Sequence, residues 1–155
     1  MAYAEGTSVA PEKSQMEIAG LIRKYGAGSF ATGWDGPRAV VQFVAHDRQI
    51  RFVLELPTDW RQYILTPAKQ RRTEKGARDA MEAEIRRRWR ALMLVIKAKL
   101  EVVETGISTF ETEFMAHTVM PDGRTVAEHI LPRIDQAIAA GQMPAGGLLA
   151  IEAAR

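Results

Sequence analysis

The 155-residue chain contains no cysteine. That excludes disulfides, thiol catalysis and every cysteine-ligated zinc or iron–sulfur site. Long apolar runs are missing too. The longest, Ala91–Ile96, is interrupted by Lys97, far short of the roughly 20 residues that a bilayer-spanning helix needs. Met1 through Pro11 carry neither the basic start nor the apolar stretch of a secretory leader. The expected setting is therefore cytoplasmic, with no membrane partner. Histidine is scarce: His46, His117 and His129 stand at separations that no familiar metal motif uses, and zinc needs several converging ligands. A His-Glu-x-x-His motif, a Walker loop and a nucleophile elbow are all absent. Gly26-Ala27-Gly28 is too short to cradle a phosphate and reads as a turn. Glu101/Glu104 and Glu111/Glu113 read as surface carboxylates, since glycosidic chemistry needs two carboxylates opposed across a bond rather than near each other in sequence. The expectation is a protein with no catalytic residue, metal or cofactor.

What is present is a folding chain with an uneven charge distribution. An apolar content of 46% argues against disorder, and 26% charged residues is ordinary for a globular domain. Between Lys69 and Lys99 eleven basic residues face only Glu74, Asp79, Glu82 and Glu84, so this stretch carries +7 of a chain whose net charge is +2. Residues 106–155 are acidic by comparison, with three basic against six acidic groups. A field of this kind attracts a polyanion or an acidic protein surface.

The pattern of residues predicts a single α+β domain over 13–144, flanked by flexible tails at 1–12 and 145–155. A first helix is expected from Lys13 or Ser14, with Ser14 and Glu17 at capping-box spacing and Gly26 as the stop. Alternation over 29–34, 38–45 and 49–56, with turns at Asp35-Gly36-Pro37 and His46-Asp47-Arg48, predicts a three-stranded antiparallel meander with one apolar face. Thr66-Pro67 has the form of an N-cap and first-turn proline, and predicts a short helix. Gly76 then introduces a long helix from Ala77 to about Glu104, with Met81, Ile85, Trp89, Leu92, Ile96, Leu100 and Val103 recurring in steps of four and three. Ser108–Glu111 and Thr125–Glu128 read as capping boxes for two C-terminal helices. Pro132 predicts a bend or break in the second of them.

Tyr25-Gly-Ala, Gly33-Trp34-Asp35-Gly36 and Pro121-Asp122-Gly123-Arg124-Thr125-Val126 carry a resemblance beyond composition. So do Trp89-Arg90-Ala91-Leu92, Ile96-Lys97-Ala98-Lys99-Leu100-Glu101, Phe110 and Phe114. Over residues 12–144 the chain resembles a group of small uncharacterised proteins encoded by bacteriophages and prophages. The resemblance implies a phage or prophage setting and carries over no catalytic or ligand-binding residue.

The functional expectation is a nucleic-acid-binding accessory protein, slightly favouring single strands. Arg71, Arg72, Lys75, Arg78, Arg86, Arg87 and Arg90 are expected to hold phosphates, while Trp60 and Tyr63 contact bases or support the bound loop. The alternative is a protein-interaction or inhibitory module that takes an acidic surface of a host protein. Leu92, Val95, Ile96, Leu100 and Val103 offer more apolar surface than a small sheet needs, and form the expected interface of a homodimer. Trp89 is read as core, and Trp34 as packing over the sheet edge or facing a ligand.

Overall fold

Proline, glycine and threonine set most of the element boundaries. A computed structural model describes residues 4–149. It runs α1 (Pro11–Tyr25), β1 (Ser29–Asp35), β2 (Arg38–Ala45), β3 (Arg48–Glu55), a 3-10 turn at Trp60–Tyr63, α2 (Glu74–Glu104), α3 (Phe110–Phe114), a second 3-10 turn at Met115–His117, and α4 (Val126–Ala140). This is the α+β arrangement expected: an N-terminal helix, a three-stranded antiparallel sheet in the order β1-β2-β3, a long central helix and C-terminal helices. Of the two expected tails, residues 1–3 and 150–155 lie outside the described residues.

α1 starts earlier than the capping-box reading placed it. Ala10 is the N-cap and Pro11 the first helical residue, where its missing N–H costs nothing. Ser14 is consequently inside the helix and fully buried, and Glu17 reaches Arg90 of α2 at 2.7 Å instead of capping its own helix. At the other end Gly26 takes φ 97°, and the N–H of Ala27 donates to the carbonyl of Ile22. This left-handed C-cap turns the chain into the sheet.

The β2–β3 connection is tighter than the sequence suggested. His46 and Asp47 both take positive φ, 50° and 58°, and Ala45 pairs directly with Arg48. A two-residue turn of this hand matches the twist of the strands it joins, so Arg48 belongs to β3. Ala39, Val41, Phe43, Ile50 and Phe52 form the buried face of the sheet. Over it lie Ile18 and Ile22 of α1, Trp89, Leu92, Met93, Ile96 and Leu100 of α2, and Phe110 and Phe114 of α3. Phe114 meets Phe43 and Phe52 edge-on, with ring centroids 5.9 and 6.3 Å apart, and stacks on Phe110 at 4.6 Å. These are the preferred arrangements of aromatic quadrupoles.

α2 begins at Glu74, capped by Thr73, whose hydroxyl accepts the N–H of Gly76 at 3.1 Å. Gly76 therefore sits within the first turn rather than before it. The 31-residue helix is about 46 Å long. Of the residues assigned to a dimer seam, Leu92, Ile96 and Leu100 are buried within the single chain, and Val103 packs against the same core. Only Val95 stays open, 46% exposed. The core of the single chain takes the other four residues, while Ala91, Val95 and Ala98 stay exposed. For α3, Thr109 is the cap, accepting the N–H of Thr112, so the Ser108–Glu111 box does not form.

α4 runs unbroken through Pro132, so of the expected bend or break the break does not occur. The proline leaves the carbonyl of Glu128 without its usual donor four residues on. Arg124 supplies a replacement: its Nη2 donates to that carbonyl at 2.9 Å. The expected Thr125–Glu128 capping box holds the same turn. Replacing Arg124 with Met should cost about 1 kcal/mol, the net value of one such bond. In a Pro132→Ala background, where the helix regains its own N–H donor, the same change should cost much less. Amide exchange within α4 and denaturant unfolding of the four proteins read this out. Equal costs in both backgrounds would refute the replacement.

Candidate nucleic-acid interface

Pro57 ends the alternation of β3, and the chain needs a rigid return to reach Thr73. Asp59 caps the 3-10 turn, its carboxylate accepting the N–H of Arg61 at 3.0 Å. Beyond the turn, Thr66 and Pro67 open a tight loop instead of the expected helix. The Thr66 hydroxyl accepts the N–H of Gln70, the Thr66 N–H donates to the Gln70 carbonyl at 2.8 Å, and Leu65 bridges to Arg71. Lys69 takes φ 60°, a left-handed conformation that a helix cannot contain. Arg72 closes the loop, with Nη1 donating to the carbonyls of Tyr63 and Leu65 at 2.9 and 2.8 Å. Its guanidinium is thus committed to the backbone rather than offered to a phosphate.

The cations nearest this loop gather around Trp60. The guanidinium carbons of Arg61 and Arg78 lie 5.2 and 4.9 Å from the ring centroid, within cation–π range. The ring expected to stack on a base is thus occupied by two guanidiniums. Arg78 also reaches Glu74, and Lys75 reaches Asp79, each at 2.8 Å and each well exposed. Arg61 lies 3.4 Å from Asp59. Arg71 and Lys69 are exposed at the loop, and no acidic side chain pairs with them among the described residues. Tyr63 is half-buried, with its carbonyl held by Arg72. The structure brings Arg61 and Arg78 together at Trp60 and leaves Lys69, Arg71 and Lys75 exposed on the neighbouring loop and the first turn of α2. Arg61 and Lys69 were not among the expected site residues. Lys69 lay inside the basic run, whereas Arg61 joins only through the fold.

The second half of the basic block is built into the scaffold. Glu84 grips Arg87 through two bonds of 2.7 Å and Arg88 through a third of the same length, with only 14% of its side chain exposed. Arg88 also donates to the carbonyl of Glu55. Arg90 holds Glu17 of α1, and the half-buried Arg86 has a buried Nε without a partner among the described residues. The bonds from Arg87, followed by that from Arg88, hold the Glu84 carboxyl below the ordinary glutamate range, and the same pairing raises Arg87. Arg86, Arg87 and Arg90, all expected to line a phosphate path, are instead partly buried; Arg87 is held by Glu84 of its own helix and Arg90 ties α2 to α1.

The histidines are dispersed. His46 receives or donates a 3.1 Å bond with the Tyr25 hydroxyl in the hairpin, and His129 lies 2.9 Å from Asp122. His117 stacks on Phe52 at 4.0 Å, where burial and then Lys99 hold it below the usual histidine range. Among the described residues no group of three or more His, Asp or Glu is placed to hold a metal ion, and no helix is long and apolar enough to cross a membrane. Two concavities escaped the sequence reading. A groove of about 510 Å³ runs along α2 over Ala91, Leu94, Val95 and Ala98, rimmed by Arg87, Arg88 and Ala4. Another of about 530 Å³ opens between the outer face of the sheet, at Val40, Arg51 and Val53, and the start of α4. The chain matches no protein-family model, no curated protein and no solved structure.

The Glu84 fork makes an acid-sensitivity prediction. A carboxyl with a lowered folded-state pKa adds stability that is present above the ordinary glutamate range and is lost as pH falls through the lowered value. Glu84→Gln should therefore destabilise the protein near neutrality and flatten its stability loss on acidification. Unfolding free energies measured from neutral pH to below the carboxylate range check this. An unchanged pH slope in the variant would show that the fork contributes nothing.

Proposed function

We propose that this chain is a non-catalytic nucleic-acid-binding accessory protein that grips the sugar–phosphate backbone, of single strands in preference to duplexes, in the phage or prophage setting its sequence resemblance implies. The observation that carries the proposal is the pair of guanidiniums, Arg61 and Arg78, over Trp60, next to a loop that Arg72 closes and that exposes Lys69 and Arg71, with the exposed Lys75 on the first turn of α2. Cations on a fixed loop neutralise phosphates without prior ordering of the backbone. Their present partners, Asp59, Glu74 and Asp79, form exposed pairs, and such pairs are worth little enough to be exchanged for phosphate. Trp60 orients the guanidiniums of Arg61 and Arg78. No side chain here is placed to read a base pair in a groove, so binding is expected to be independent of sequence.

A second reading has its own observation. The apolar groove over Ala91, Leu94, Val95 and Ala98, with Arg87 and Arg88 on its rim, suits an amphipathic acidic segment of a host protein. Capture of one partner from nuclease-treated bacterial extract, lost on Ala91→Glu, favours that reading.

The test of the first reading is titration of a labelled single strand and a duplex over a range of salt. The logarithm of affinity should fall linearly with the logarithm of salt concentration, with about 0.7 of slope for each phosphate held on a single strand. Reversing Lys69, Arg71 and Arg78 to Glu should reduce affinity by at least about tenfold at low salt and make the slope shallower. Arg87→Glu should act mainly on stability. Binding no stronger than that of a neutral control protein, or indifference to the triple reversal, refutes the proposal.

A further inference from the structure

The two edges of the sheet are treated differently. Beyond β3, Thr118 bridges to Ile50 and the N–H of Val119 donates to the carbonyl of Gln49 at 2.8 Å. β1 pairs only with β2, and no other described segment bridges to it. Exposed edges are usually blunted by lysine, proline, a bulge or extreme shortness, because an open row of N–H and C=O groups is a template for another strand. β1 has none of these devices. Its sequence is Ser-Phe-Ala-Thr-Gly-Trp-Asp, its pairing with β2 is continuous over all seven residues, and its one charge is at the end. Every residue except the half-buried Phe30 is exposed, and Trp34 is 68% exposed although it lies opposite the buried Ala39 on the helix side of the sheet.

The geometry points to a homodimer in which β1 pairs antiparallel with β1 of a second copy, about a two-fold axis through Thr32, joining two sheets into one of six strands. The strand's own sequence selects the occupant and the register. Pairing centred on Thr32 sets Phe30 opposite Trp34, Ala31 opposite Gly33, Ser29 opposite Asp35 and Thr32 opposite itself. Phe30, Thr32 and Trp34 share the helix-side face, since they pair with Phe43, Val41 and Ala39. Each exposed tryptophan therefore meets the partner's phenylalanine, twice over, around a central threonine pair; aromatic and Thr–Thr pairs are favourable cross-strand combinations. A slip of one residue would turn the two apolar faces to opposite sides. A slip of two in either direction shortens the pairing and separates Phe30 from Trp34. An isologous contact of this kind is closed, so it ends at two copies. It uses none of Leu92, Ile96 or Leu100, which the core of each copy already holds.

The absence of native cysteine makes a direct test available. Opposed residues in an antiparallel pair have Cα atoms about 4.5–5.5 Å apart, inside the roughly 4.4–6.8 Å span of a disulfide. Under mild oxidation Thr32→Cys should become a covalent dimer, while a cysteine at the exposed Glu101 of α2 should leave single chains. By light scattering at high micromolar concentration the native protein should have twice the chain mass. Thr32→Lys and Thr32→Glu should each weaken association by about tenfold or more, because a residue opposed to itself meets its own charge. Mixing the two should restore the dimer. Circular dichroism reports whether each variant keeps the fold, and the cysteine result stands independently of the charged pair. A native protein that stays monomeric, or a dimer in which Thr32→Cys crosslinks no faster than Glu101→Cys, overturns the inference.

Discussion

A mismatch of lengths organises this molecule. The strands hold seven or eight residues, a span of about 26 Å at most, whereas α2 runs for about 46 Å. One face of the sheet must be hidden, and the second half of α2 hides it with Trp89, Met93, Ile96 and Leu100. The first half cannot rest on the same sheet. It overhangs, and packs instead on the loop between Pro57 and Thr73. That overhang explains why the apolar stripe thins toward Glu74 and why the chain's basic residues collect there. The candidate site is the part of the long helix that the sheet is too short to cover.

Charge within the overhang is divided by burial. Where α2 nears the sheet, an arginine must bring its own counter-charge or find a carbonyl, because an unpaired ion in a poorly hydrated position is costly. Glu84 serves Arg87 and Arg88 together, Arg88 also takes the carbonyl of Glu55 as β3 ends, and Arg90 takes Glu17 of α1. Farther out, at Lys75 and Arg78, the pairs are exposed, with side chains 51–86% accessible on the basic partner. Water screens these pairs and weakens them. One run of eleven basic residues therefore contains two kinds of cation: partly buried arginines held by the scaffold and exposed ones in water-screened pairs. Position along the helix, rather than local charge density, separates them.

That separation shows what the sequence discloses and what it does not. Period and turn chemistry were legible: the alternation in β1–β3, the left-handed glycine at 26, the 3.6-residue stripe of α2 and the Thr125 box all act over a few residues. The errors share a different cause. Glu17 looked like a cap because its partner, Arg90, is 73 residues away. Pro132 was expected to bend or break its helix, and the break is avoided with a donor from Arg124, which lies just before that helix. Arg72 looked like a phosphate ligand because the carbonyls it holds, at Tyr63 and Leu65, belong to a loop whose path was unread. Leu92, Ile96 and Leu100 looked like a dimer seam because their packing into the core of one chain is a tertiary fact, although Ala91, Val95 and Ala98 beside them stay exposed. In each case a side chain with two plausible partners took the one that folding brought to it.

The same reasoning accounts for the sheet's exposed corner. The helix layer is anchored by Phe43, Phe52 and Phe114 over β2 and β3, and α1 must end at Gly26 to enter β1 through a three-residue turn. Near the start of β1, Phe30 packs on the core, whereas Thr32 and Trp34 farther along the strand are exposed. Those two side chains point to the helix side of the sheet but have no helix above them. β1 is thus open along its edge and on its face at once, while the start of β3, at Gln49 and Ile50, is bridged by the segment after α3. A chain that caps its helices with threonine and glycine leaves an exposed tryptophan on an edge strand to which no other described segment bridges. The conjunction follows from the connection lengths: a three-residue link between α1 and β1 gives the helix no freedom to slide across and cover both.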